Sequence, residues 1–140
     1  MIIKSYTDLE QSERLIKILP LDSADMALCS KVQPLMTDYI SAKKKFSNAG
    51  EISIDPCWSL AALLDLLPSE IIYFGTTYEI QIRKYSLTKG INLHQIAYGN
   101  VKIDVDGQFS FKDMVNTGEK ENLVDACVQM IIELNKMNLI

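Results

Sequence analysis

The sequence has few of the residues that bind metal ions or build disulfide scaffolds. Its 140 residues include a single histidine, His94, and three cysteines. Cys29, Cys57 and Cys127 are widely and irregularly spaced, and no C-x-x-C pair occurs. A Cys/His zinc set needs closer spacing, so we expect no structural metal, and no motif predicts a cofactor. An odd number of scattered cysteines is typical of a reducing compartment, which favours a cytoplasmic protein.

A long apolar run and an excess of basic charge are also missing. No run approaches the ~18 apolar residues of a membrane span, and the first residues do not resemble a secretory signal. Fourteen basic residues face 18 acidic ones, which gives a net charge of −4. Such a chain is a poor binder of polyanions. The one basic run, at Lys43, Lys44 and Lys45, leaves a weaker alternative, a nucleic-acid accessory protein.

Apolar residues at helical spacing predict three helices. The first begins at a capping box formed by Thr7 and Glu10, in which each side chain satisfies a free amide, and it ends before Pro20. The second begins at Asp55 and Pro56 and ends at Pro68, and its nearly uniform apolar character predicts a central core helix. The third extends from about Glu121 to Met137, and Asn138 follows it.

Between the second and third helices the period changes to two, which is typical of strands. We predict short strands at residues 71–74, 78–85, 93–98, 101–105 and 109–111. Asp106 and Gly107 predict a type I′ hairpin turn. The fold class is therefore α+β, with an antiparallel sheet of four or five strands and about three helices on one face, in a single domain over residues 1–140. Residues 29–53 have no clear pattern.

One constellation suggests nucleophilic chemistry. Cys57 stands at the predicted start of a helix, where the helix dipole lowers a thiol pKa, and Trp58 follows it. A papain-like thiol hydrolase would use Cys57 as the nucleophile, His94 as the base, and Asn100 or Asp104 to orient the imidazole. The small residues that such enzymes place before the cysteine are absent. The alternative is that Cys57 packs in the core, and we expect no catalytic site.

Four tyrosines lie on or beside the predicted strands: Tyr73, Tyr78, Tyr85 and Tyr98. Because the helices cover one face of the sheet, some of these rings must lie on the other face. Tyrosine supplies contact area at a low entropy cost, so this face could bind a protein partner. In the alternative interpretation the rings stabilise the sheet as cross-strand pairs.

Two blocks and a strand rich in Glu and Ile resemble a known group of proteins. The blocks are residues 56–68 (PCWSLAALLDLLP) and residues 122–139 (from NLVDAC to the final LNKMNL). They resemble small hypothetical proteins encoded in Bacteroides genomes and in their phages or other mobile elements. The resemblance covers residues 1–28 and 54–140 and brings no catalytic motif, which implies an origin and argues against a standard metabolic enzyme.

The sequence therefore predicts a small, acidic, cytoplasmic α+β protein without a membrane segment. We expect it to bind a protein partner, or a second copy of itself, through the sheet face or through residues 29–53. The thiol hydrolase is the alternative, and the nucleic-acid accessory protein is the weaker one.

Overall fold

The computed structural model describes residues 4–47, 50, 52–88 and 90–140. Its contacts group the chain into two compact units, Met1–Leu66 and Leu67–Ile140, which are described separately below. The α+β class is confirmed, and the described residues form four α-helices and two antiparallel sheets of three and four strands. A single domain over residues 1–140 stays a prediction. No helix in the described parts of the chain is long and apolar enough to cross a membrane.

The first unit contains a three-stranded sheet with the order β2-β1-β3 and three short helices. These elements are, in chain order, α1 (Leu9–Leu15), β1 (Met26–Cys29), β2 (Gln33–Leu35), α2 (Tyr39–Lys45), β3 (Ile54–Cys57) and α3 (Leu60–Leu66). The unpatterned segment 29–53 thus supplies β2 and α2, whereas its residues 48, 49 and 51 lie outside the described part. Both elements are too short to produce a readable period.

The predicted start of the second helix is wrong. Asp55 and Pro56 lie in strand β3, where they pair with Leu28 and Ala27 of β1. Pro56 is tolerated because β3 is an edge strand, so its missing N–H interrupts no ladder. The helix begins at Leu60 instead. Ser59 precedes it, and its hydroxyl accepts a hydrogen bond from the amide of Ala62 (3.1 Å).

The predicted central position of this helix is also wrong, because Leu63 is the one residue of α3 that is buried. The first helix differs in its cap. Asp8, not Thr7, is the N-cap of α1, and it forms a reciprocal capping box with Gln11. Thr7 is fully buried and uses its hydroxyl elsewhere.

The second unit is a four-stranded antiparallel meander with one helix. It contains β4 (Glu70–Tyr73), β5 (Thr76–Thr88), β6 (Ile91–Ile103), β7 (Phe109–Asn116) and α4 (Leu123–Lys136), and the strands pair in the order β4-β5-β6-β7. Helix α4 contacts β6, and eight of its residues are buried. Ile96 and Tyr98 of β6 lie fully buried on this side of the sheet, which we call the α4 face.

The end of α4 and the β6–β7 turn show how individual residues determine the local backbone conformation. Asn138 ends α4 with a φ of +58°, as predicted, and the Leu139 amide donates to the Leu134 carbonyl (2.9 Å). The hairpin between β6 and β7 differs from the predicted type I′ turn. Only Gly107 has a positive φ there, so the turn is of type I with a following left-handed glycine.

Candidate functional surface

The face of the four-stranded sheet opposite the α4 face carries a polar cluster, and we call it the Arg83 face. Cross-strand register places Arg83 opposite Gln95, and Asp113 opposite Gly99, on this side of the sheet. Gln81 and Tyr85 flank Arg83 along β5, because every second residue of a strand points the same way. Three neighbouring strands therefore bring these side chains together.

Arg83 is the centre of this cluster and forms a bidentate ion pair with Asp113. Its Nη2 lies 2.6 Å from Asp113 Oδ1, and its Nη1 lies 2.8 Å from Oδ2. The Arg83 Nε donates to Gln81 Oε1 (2.6 Å), and Nη1 also donates to Gln95 Oε1 (3.1 Å). The guanidinium lies over the ring of Phe111, 5.3 Å from its centroid.

The charges of this pair stabilise each other. The hydrogen bonds from Arg83 lower the pKa of Asp113, and the same bonds to Asp113 raise the pKa of Arg83. Both side chains are about four-fifths buried, at 19% and 23% exposure. Neither group is therefore poised to exchange a proton near neutral pH, and the pair acts as a clamp that connects β5 to β7 across β6.

Beyond this clamp, the Arg83 face ends in exposed apolar side chains. Register pairs Val101 with Phe111 and Ile103 with Phe109 at the distal end of the β6–β7 hairpin. Val101, Ile103 and Phe109 are exposed by 57%, 64% and 73%. We call Val101, Ile103, Phe109 and Phe111 the hairpin patch. Its signal was present in the sequence, since apolar residues alternate on both sides of the Asp106–Gly107 turn.

The four tyrosines divide unevenly between the two faces. Tyr73, Tyr78 and Tyr98 lie on the α4 face by register, whereas Tyr85 lies on the Arg83 face and is 38% exposed. Tyr98 is fully buried and donates to the Pro68 carbonyl (2.6 Å), and burial raises its pKa. Binding of a partner by these tyrosines stays a prediction, and Tyr85 is the one with an accessible ring on the Arg83 face.

Cys57 lies at the end of a strand and not at the start of a helix. Its side chain is fully buried, and its thiol donates to the Thr7 carbonyl (3.4 Å) while accepting from the Thr7 hydroxyl (3.7 Å). Burial raises the pKa of this thiol, and the charge of Asp25 raises it further, whereas the Thr7 hydroxyl hydrogen bond lowers it. The net effect opposes formation of the thiolate nucleophile.

The other three residues of the suggested constellation belong to the second unit, with His94 and Asn100 on β6 and Asp104 directly after it. His94 is half-buried on β6, opposite Lys84 on one side and Lys120 on the other. Asp104 stabilises the hairpin turn, because its Oδ1 accepts from the amides of Asp106 and Gln108 (both 2.9 Å). Catalysis by Cys57, His94 and Asp104 has no support in these surroundings.

The three consecutive lysines lie in the last turn of α2. Lys43 is 5.7 Å from the centroid of the Tyr39 ring, and Lys45 is 5.8 Å from that of Phe46. Positive charge at a helix C-terminus is favourable, so this position explains the run without any ligand.

A small crevice in the first unit is lined in part by Asp55, whose carboxylate has one oxygen without a hydrogen-bond partner. About 40 Å³ in volume, it lies between α1 and β3 and is lined by Leu9, Ser12, Glu13, Ile16, Asp55 and Pro56. Asp55 Oδ2 is buried and forms no hydrogen bond. Nowhere in the described chain do three metal-ligating side chains converge.

The clamp between Arg83 and Asp113 has no signal in the sequence. The two residues are thirty positions apart, and only the register across β6 brings them together. Comparison of the chain with protein-family models, with curated proteins and with solved structures finds no match.

Proposed function

We propose that this is a non-enzymatic protein that binds a protein partner through the hairpin patch. The observation that carries the proposal is the exposure of Val101, Ile103 and Phe109, each more than half accessible, on one face of one hairpin. Contiguous exposed apolar surface on a folded domain is typical of an interaction site. Aromatic side chains such as Phe109 contribute strongly when an interface covers them.

The position of β7 supports the same surface. Among the described strands, β7 lies at the edge of the four-stranded sheet, so one side of its backbone has no neighbouring strand. An extended segment of a partner could pair with this edge and cover the hairpin patch with its side chains. The Arg83–Asp113 clamp holds β7 in register and therefore keeps the patch in place.

The origin and the location belong to this proposal as well. The resemblance to small proteins of Bacteroides genomes and their mobile elements supports a role in binding instead of metabolism. Cys29, Cys57 and Cys127 are all free thiols, which supports a cytoplasmic location.

Paired substitutions in the patch test the proposal. The variant Ile103→Thr with Phe109→Ser removes apolar surface but keeps residues that a strand tolerates, and Val32→Thr is the matched control because Val32 is 80% exposed in the first unit. Sedimentation velocity measures self-association, and quantitative affinity capture from the source cells measures other partners. We expect binding to be lost in the double variant and kept in the control.

The two readouts separate a second copy of the chain from a different protein. Self-association that the double variant abolishes identifies the partner as the chain itself. The proposal is contradicted if the wild-type protein stays monomeric and captures no partner. It is also contradicted if the double variant binds as well as the wild type does.

A further inference from the structure

Three basic side chains form a row across the α4 face of the four-stranded sheet. Lys84 of β5 is directly opposite His94 of β6, and His94 is directly opposite Lys120. The His94 amide donates to the Lys120 carbonyl (2.7 Å), and the Lys120 amide donates to the His94 carbonyl (2.8 Å). Because both backbone groups of His94 point towards Lys120, its pair with Lys84 is of the non-hydrogen-bonded type, in which side chains lie closer together.

No carboxylate of the described residues forms an ion pair with this row. In the described part of the chain, no carboxylate oxygen lies within 4.0 Å of the side-chain nitrogens of Lys84, His94 or Lys120. The next pair on the same face is neutral, with Ser86 donating to Asn92 (2.9 Å). The ammonium groups of Lys84 and Lys120 lie on either side of His94, and like charges on neighbouring strands are unfavourable, so a bound anion would stabilise this arrangement.

We propose that Lys84, His94 and Lys120 form a binding site for a phosphate dianion, either free or as a phosphate monoester. The register places two ammonium groups and an imidazole side by side, on β5, on β6 and on the segment after β7, where they can donate hydrogen bonds to several oxygens of one small anion. Lys84 is exposed and the other two are half-buried, so an anion can approach from solvent. This site lies on the opposite face from the hairpin patch and does not depend on protein binding.

The ring of His94 gives a direct readout, because it is the only histidine of the chain. Its carbon-bound protons are followed by NMR while phosphate replaces chloride at constant pH and ionic strength. The test variants are Lys84→Gln and Lys120→Gln, and the matched control is Lys102→Gln, an exposed lysine of β6 on the same face. Phenyl phosphate and a short single-stranded DNA are titrated in parallel.

We expect the His94 signals to shift with phosphate and to saturate. The affinity for phosphate should fall roughly tenfold in each test variant, because each variant loses one charge-assisted hydrogen bond. The control should bind like the wild type. Equal binding of phenyl phosphate assigns the site to monoesters, and binding of inorganic phosphate alone assigns it to the free ion. Shifts of the His94 protons that never saturate with phosphate overturn the proposal. A protein that responds to DNA but not to phosphate also overturns it, if Lys102→Gln weakens DNA binding as much as the test variants do. Lys84 is exposed, so its variant stays informative even where Lys120→Gln fails to fold.

Discussion

Gly99 of β6 lies directly beneath the ring of Phe111 on the neighbouring strand. A Cβ atom at Gly99 would lie 2.6 Å from Phe111 Cε1 and would also collide with the Lys112 carbonyl oxygen. The ring covers the backbone at the position where β7 carries a bulge between Asp113 and Val115. Glycine here permits the close approach of strand and ring that supports one end of the hairpin patch.

We predict that Gly99→Ala destabilises the protein by about 1–3 kcal/mol, the usual cost of forcing atoms into a packed site. The measurement is the free energy of unfolding in urea. Ser110→Ala, an exposed position on the same hairpin, is the control and should change it little. An unchanged unfolding midpoint in Gly99→Ala would contradict this prediction, because both the Phe111 ring and the Lys112 carbonyl would then move aside without cost.

The Arg83–Asp113 clamp predicts a pH-dependent contribution to stability. The pKa of Asp113 is lower in the folded chain than its ordinary value, because Arg83 donates to the carboxylate. Such a group adds stability above the pKa of the unfolded chain, about 3.9, and this contribution is lost as the pH falls through the folded pKa. Asp113→Asn should therefore cost roughly 1–2 kcal/mol at neutral pH and progressively less below about pH 4.

The matched control for the clamp is Lys136→Gln, which removes an exposed partner 3.6 Å from Glu133. An exposed pair of this kind contributes about 0–1 kcal/mol, so this variant should unfold close to the wild type. The measurement is urea unfolding of the wild type, Asp113→Asn and Lys136→Gln at several values between about pH 3 and pH 7. This interval includes the ordinary carboxyl pKa values of about 3–5 and extends to neutral pH. A cost for Asp113→Asn that does not vary with pH would contradict the ion-pair explanation.

The three cysteines should differ in reactivity. Burial raises the pKa of Cys57 and raises that of Cys127 to about 12, whereas Cys29 is half-buried at the end of β1. A higher pKa leaves less thiolate at neutral pH, so we expect a thiol-selective alkylating agent to modify Cys29 first. Mass spectrometry of the native protein across pH identifies the site. Labelling of Cys57 ahead of Cys29 would revive the hydrolase interpretation.

The turn between β4 and β5 offers a stabilising substitution. Phe74 and Gly75 connect the paired residues Tyr73 and Thr76, and both have positive φ, at 48° and 77°. Such a two-residue turn favours Asn-Gly, because asparagine tolerates the left-handed conformation better than phenylalanine. Phe74→Asn should raise the free energy of unfolding by about 0.5–1 kcal/mol. Phe74→Val should lower the free energy of unfolding, because a β-branched residue disfavours positive φ. A change in the same direction in both variants would contradict this explanation.

The parts of the fold that could be predicted are those with a long, uninterrupted period. Helix α4 and strand β5 extend over 14 and 13 residues, long enough for their apolar pattern to be read. Strand β6 is also 13 residues long, but Gly99 and Asn100 interrupt its pattern, so the prediction of two strands at 93–98 and 101–105 is wrong. By contrast, β2 and α2 are three and seven residues long. The start of the second helix was misplaced because Asp55 and Pro56 have the chemistry of a helix start but are used by an edge strand.

The candidate surfaces divide in the same way. The hairpin patch has a signal in the sequence, the apolar alternation around Asp106 and Gly107, but the tyrosines were the residues that we predicted as a binding surface. The clamp and the basic row could not be predicted, because they depend on which residue of β6 lies opposite Arg83 or Lys84. Register across a sheet is set by packing of the whole face, and no local pattern encodes it.

The meander of the second unit also has a consequence for the order of folding. Each of its strands pairs with the next strand along the chain, so every hairpin closes a short loop. In the first unit, β1 pairs with β3 across the whole intervening segment, with Cys29 opposite Ile54. Short-range pairing reaches its transition state faster than long-range pairing. The β5–β6 and β6–β7 hairpins should therefore acquire hydrogen-exchange protection during refolding before the β1–β3 pair does.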